Sequence, residues 1–144
     1  MRFRAEGIVR APVEQTFAWW TDLREDDAEG VMPPLRARRV VRRTPTEIEV
    51  DDRWSIYGIP VRTRAVLRPR PPDAWEVRTT FRGGSYRDVV HLEPVPGGTR
   101  VVMELETELR WPWTWIARLA RVPLARLFQR DLEAVNRRLE ASLG

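Results

Sequence analysis

Few residues of this chain are equipped for chemistry. Two carboxylates, Asp52 and Asp88, and two phenols, Tyr57 and Tyr86, sit in segments of alternating character, on the same parity as apolar neighbours such as Val50 and Trp54. A carboxylate on an apolar surface is costly unless it gains a partner or shifts its pKa, and such a shift suits it to exchange a proton near neutrality. A phenol beside it can donate a hydrogen bond to a polarised oxygen. The alternative is structural: these groups hydrogen-bond to one another or lie at the wet rim of a sheet. Arg39 and Arg43 could also polarise a carbonyl, but parity leaves their side ambiguous, and most other strand arginines fall on the opposite face.

Other chemistries find little support. His91, the only histidine, falls by parity on the outer face beside Val89, and Ser55, Ser85 and Ser142 lack the glycine-flanked elbow of a serine nucleophile. Glu104, Glu106 and Glu108 alternate onto one outer face, where pairing with arginine is a simpler role than binding metal. Gly83-Gly84 and Gly97-Gly98 are turn glycines with no phosphate-loop context. There is no cysteine, hence no disulfide or thiolate. Neither a metal nor a cofactor is expected.

The elements that must position these groups follow from periodicity. Phe3, Ala5, Gly7 and Val9 alternate with charged residues as a first strand, and Pro12 opens a short helix carrying Val13, Phe17 and Trp20. Asp22 to Gly30 adds an acidic helical turn before Met32-Pro33-Pro34. Six strands are then predicted: Arg36 to Arg43, Thr46 to Trp54, Tyr57 to Leu67, Trp75 to Phe81, Tyr86 to Glu93 and Thr99 to Leu109, with turns at Pro69 to Asp73, Gly83-Gly84 and Pro94 to Gly98. In the last hairpin Leu92 should face Val101, Glu93 should face Arg100, and Arg87 should face Glu106 as outer charge pairs. Leu124, Leu127, Phe128, Leu132, Val135 and Leu139 recur at three- and four-residue spacing. They predict a long amphipathic helix with Pro123 in its first turn and Gly144 at its end.

At 144 residues, 42% hydrophobic and 32% charged, the chain reads as one domain, 1–144, with a real core. No apolar run approaches the ~20 residues of a membrane span and the first ten residues contain no signal-peptide core, so a cytoplasmic protein is expected. The isoelectric point is alkaline because all 25 basic residues are arginine, yet the net charge is only +4. Outer arginines and glutamates are largely mutual partners, so no nucleic-acid partner is expected.

The order strand, helix, six strands, helix, with the opening APVEQTFAWWTD, the hairpin Y-x-D…LEPVPGGTRV and the long final helix, resembles the START-like superfamily of helix-grip proteins. Within it the chain is most similar to the polyketide cyclase/dehydrase and lipid-transport family. The resemblance implies an α+β fold in which a curved seven-stranded antiparallel sheet wraps the C-terminal helix and leaves a cavity for a hydrophobic ligand. It carries over no catalytic motif. On that frame the expected cavity residues are Trp54, Tyr57, Val61, Thr63, Val77, Thr79, Tyr86, Asp88, Met103, Leu105, Leu127, Phe128 and Leu132. The expected function is to carry or sense a lipid, quinone or polyketide-like molecule, as a monomer or homodimer. The alternative is a cyclase, aromatase or dehydratase using Asp88 or Asp52 as base and Tyr86 or Tyr57 as donor.

One segment stands apart. Trp111, Trp113, Trp115, Ile116 and Leu119, flanked by Arg110, Arg118 and Arg121, have the composition of an interfacial helix able to touch anionic lipid. A lid over the cavity mouth, a dimer contact and plain packing of the indoles on the sheet rim are the other readings. A docking module built on this segment is thus a second alternative function.

Overall fold

The computed structural model describes residues 1–29, 34–56 and 58–143. Tyr57, the Met32-Pro33 break and the helix end at Gly144 lie outside the described residues. The seven strands, β1 (Arg2–Val9), β2 (Leu35–Arg43), β3 (Ile48–Ile56), β4 (Ile59–Arg70), β5 (Ala74–Phe81), β6 (Gly84–Val95) and β7 (Gly98–Leu109), form one open antiparallel sheet in the order β1-β7-β6-β5-β4-β3-β2. Helix α1 (Val13–Thr21) and a 3-10 turn (Glu25–Ala28) follow β1, while α2 (Trp113–Leu119) and α3 (Arg121–Leu143) close the chain. This is the α+β helix-grip arrangement. Among the described residues no helix is long and apolar enough to cross a membrane.

Parity holds through most of the sheet. Phe3, Ala5 and Val9, Val50 and Asp52, Leu67, Trp75, Val90 and Val101 are all buried on the inner face, and His91 is exposed. In the β6–β7 hairpin Leu92 pairs with Val101, Glu93 with Arg100 and Arg87 with Glu106. The register is the expected one, and Arg100 pairs with Glu93 at 3.3 Å as expected, but the Arg87 pairing differs. The Arg87 guanidinium reaches sideways to Glu76 on β5 at 2.7 Å, where Arg70 and Arg78 also converge, and Glu106 pairs with Arg2 of β1 instead. A nearly buried carboxylate with three donors outcompetes an exposed one directly opposite. Strand β4 also runs past Leu67 through Pro69 to Arg70, so the turn begins only at Pro71. Pairing of β3 with β4 has ended at Ile48 and Leu67, so Pro69 lies where β4 has lost its neighbour on that side, a position that tolerates proline.

Helix α3, about 34 Å long for its 23 residues, lies against the inner face. Leu132, Val135 and Leu139 are buried, and Leu132 and Leu139 join Val9, Trp75, Val90 and Val101 in the main core. Each such side chain stabilises the fold by about 1.5–3 kcal/mol. The helix also covers the free edge of β1. Gln129 donates to the Glu6 carbonyl at 2.8 Å and accepts from the Glu6 N–H at 3.2 Å, and Glu140 accepts from the Arg10 N–H at 2.9 Å. Edge groups that would otherwise offer a pairing template are thereby satisfied. A second, smaller core of Ile48, Val50 and Ala65 lies under β3 and β4.

Candidate functional site

The functional candidate is a cavity of about 460 Å³ between these two cores. Strands β3 to β7 supply one wall with Val50, Ala65, Leu67, Trp75, Val77, Val90 and Met103, while α1 supplies Trp19 and Trp20 opposite. From α3 only Val135 takes part. Asp22, Arg24, Asp26 and Glu29 are exposed and also border the space, so its outer end is charged and its interior apolar.

Polar groups enter this apolar surround in three places. Deepest is Asp52, 2% exposed, whose two carboxylate oxygens accept from Arg38 Nε and Nη2, each at 2.9 Å. Arg38 Nη1 donates in turn to Asp27 Oδ2 at 2.6 Å, so one buried guanidinium ties the 3-10 turn to the sheet. Burial opposes the Arg38 charge, but Asp52 and Asp27 outweigh it and raise its pKa. Burial pushes the Asp27 carboxyl up, while the Arg24 N–H and Arg38 work the other way. The second group is the Trp54 indole, which donates to the buried Thr63 hydroxyl at 2.8 Å.

The third group is the pair Tyr86 and Asp88 on β6. Asp88 Oδ1 is buried and has no hydrogen-bond partner among the described residues. Burial raises its carboxyl from the usual 3.8 to about 7. Burial likewise pushes the Tyr86 phenol up to about 12, with the Asp88 and Asp52 charges adding to the effect, so it remains a hydrogen-bond donor at neutral pH. Trp20 Nε1, on the facing wall, is another buried donor without a partner among the described residues. Two residues of a mostly apolar lining, Asp88 and Trp20, thus each carry a buried polar atom with no hydrogen-bond partner among the described residues.

Of the residues expected here, Trp54, Thr63, Val77, Thr79, Tyr86, Asp88 and Met103 line the cavity, as does Asp52. Val61, Leu105, Leu127, Phe128 and Leu132 are not on its wall. Val61 lies near the β3–β4 hairpin, opposite Trp54. Leu105 is buried on β7 opposite Phe3, and Phe128 packs edge-on to Phe3 with ring centroids 5.4 Å apart. The first half of α3 thus leans on β1 and away from β3 and β4, which removes Leu127, Phe128 and Leu132 from the cavity. Arg38, Asp27, Trp19 and Trp20 were not anticipated. Counting back from the Arg43–Ile48 pair would put Arg39 opposite Asp52, but an irregularity between Val40 and Arg42 slips the register and puts Arg38 there. The signal in the sequence was Asp52 itself, an inward carboxylate that calls for a cation.

The tryptophan segment borders this region without lining it. Trp113 packs edge-on to Phe81 at 6.4 Å, and Phe81 lies 6.2 Å from Tyr86, so a row of three rings joins α2 to the cavity wall. None of Trp111, Trp113, Trp115 and Ile116 contributes to the wall itself.

Neither a family model nor a curated protein matches the sequence. Solved structures do match. The Zhui aromatase/cyclase from Streptomyces sp. R1128 superposes with a TM-score of 0.81 at 14% identity, over 100% of this chain and 96% of that one. A START superfamily protein from Mycobacterium smegmatis gives 0.74 at 16% identity over 97% of both chains. A STAR-related lipid transfer protein from Xanthomonas axonopodis gives 0.71 at 20% identity, covering 96% of this chain and 85% of that one. Superpositions of this quality over nearly the whole chain give it the START-like, helix-grip fold.

Proposed function

We propose that the cavity binds a small, mostly apolar molecule with a hydrogen-bonding group, and that the protein carries or senses it. The observation that carries this reading is a mostly apolar cavity of about 460 Å³ whose lining residues Asp88 and Trp20 each hold a buried polar atom without a hydrogen-bond partner among the described residues. Apolar walls supply affinity and a few fixed polar groups supply orientation. A lipid, quinone or polyketide-like molecule with a hydroxyl or carbonyl fits that chemistry, and a lipid transfer protein is among the proteins of like fold. Native mass spectrometry of the purified protein, followed by organic extraction, is the direct test. A discrete bound compound that Trp54→Ala and Asp88→Asn bind more weakly supports the reading. A protein that arrives empty and takes up no ubiquinone, fatty acid or aromatic polyketide at micromolar concentration sinks it.

A second reading rests on Asp88 with Tyr86. A carboxyl poised near pH 7 beside a protonated phenol is an acid–base pair suited to an enolisable carbonyl. Cyclisation or dehydration of a polyketide-like substrate is the matching reaction class, and an aromatase/cyclase shares the fold. Under this reading Asp88→Asn abolishes turnover while substrate still binds.

A further inference from the structure

Helix α2 divides its tryptophans. Trp113 and Ala117, four residues apart, face the domain: Ala117 is buried, and the Trp113 ring rests on Phe81 and on Gly83, where an added Cβ would come within 2.8 Å of it. Trp113 itself is 42% exposed, and Trp115, Ile116 and Leu119 are turned further toward solvent. They are 63%, 52% and 75% exposed, and Trp111 before them and Val122 after them are 81% and 60% exposed. Five large apolar side chains thus crowd into one short stretch of surface, while singly exposed hydrophobics elsewhere need no explanation. The charge along this stretch of the chain is equally one-sided. From Arg110 to Arg130 there is no acidic residue, and Arg110, Arg118, Arg121, Arg126 and Arg130 carry five positive charges in a chain whose net charge is +4. All five arginines are exposed, and none has a carboxylate partner among the salt bridges of the described residues.

We infer that α2 and the start of α3 form a docking surface for an anionic lipid bilayer. Indoles and aliphatic side chains enter the headgroup boundary while the surrounding guanidiniums meet lipid phosphates, a division of labour in which apolar area and charge both contribute to binding. The arginine collar selects this occupant over a second copy of the chain, since apposing two such patches would bring ten like charges together without acids to offset them. The surface stands independently of the cavity, because none of its exposed residues lines that space.

The test is co-sedimentation of the full chain with vesicles of phosphatidylcholine alone and of phosphatidylcholine with phosphatidylglycerol. The anionic vesicles should bind at least about tenfold more tightly, with added salt weakening them. Trp115→Ser with Leu119→Ser, and separately Arg118→Glu with Arg121→Glu, should each lower that binding by about tenfold or more. These positions are exposed, so the thermal unfolding midpoint should be unchanged, which keeps a loss of binding distinct from a loss of fold. Equal affinity for both vesicle types, or binding indifferent to both variants, overturns the inference. So does an absence of vesicle binding together with a dimer, seen by analytical ultracentrifugation, that the Trp115→Ser, Leu119→Ser variant disperses.

Discussion

Asp52 and Asp88 face the same cavity from β3 and β6, yet they live in opposite circumstances. Asp52 holds a bidentate arginine and has its hydrogen-bonding capacity turned toward the protein. Asp88 keeps a buried oxygen with no partner among the described residues, and its proton affinity rises accordingly. A buried carboxylate that is paired fixes architecture; one left alone holds its proton to neutral pH and stays available to whatever enters. The sequence treats the two alike, as aspartates of matching parity. Their roles are separated by a third residue, Arg38, brought inward by an irregular strand.

The sharpest way to break this comparison is to remove the partner. Arg38→Met leaves Asp52 buried with no counter-charge and frees Asp27, and should cost about 3–5 kcal/mol by urea denaturation at neutral pH. A loss below about 1 kcal/mol would mean that the arginine does not hold that carboxylate. Next in size is Asp88→Asn. Below about pH 3 the Asp88 carboxyl is mostly neutral whether folded or unfolded; as pH rises to 7 the unfolded chain ionises first, so wild-type stability declines across this window. At about pH 8 the variant should be the more stable by on the order of 2–4 kcal/mol, with the difference vanishing near about pH 3. Parallel pH profiles would show that Asp88 is not held neutral. Combining Arg38→Met with Asp52→Asn should recover much of the first loss, ending within about 2 kcal/mol of wild type, because no bare charge remains at position 52. The smallest effect belongs to a neutral pair: Thr63→Val strands the Trp54 indole N–H and should cost about 1–2 kcal/mol.

Much of the fold was legible because a sheet repeats every two residues. Once alternation along each strand turns Val50, Asp52, Val90 and Val101 to one face, the inner face and the β6–β7 register follow, and the three- and four-residue spacing from Leu124 to Leu139 marks the long helix with equal clarity. What periodicity does not carry is the direction in which that helix crosses the sheet. Leu127, Phe128 and Leu132 are apolar and inward, as expected, but contact with Phe3 and β1 takes them from the cavity and leaves Val135 to represent α3 there. Nor does it carry a local slip of register, which is why Arg38 went unseen while Arg39 was weighed. The charge pair at Arg87 failed for a related reason: cross-strand opposition ranks neighbours by distance along one strand pair, whereas Glu76 collects arginines from β4, β5 and β6.

The seat of Trp113 on Gly83 bears on how this surface can change over evolutionary time. An added Cβ at position 83 would fall 2.7 Å from the Phe81 ring and 2.8 Å from that of Trp113, so positions 81, 83 and 113 behave as one unit, although 30 residues separate the last two. A lineage that acquires a side chain at 83 must trim the ring at 113 or shift α2, and with it the orientation of Trp115 and Leu119. Substitutions at 83 and 113 should therefore appear together across relatives, and a descendant that keeps glycine at 83 without an aromatic residue at 113 should have lost this docking of the helix.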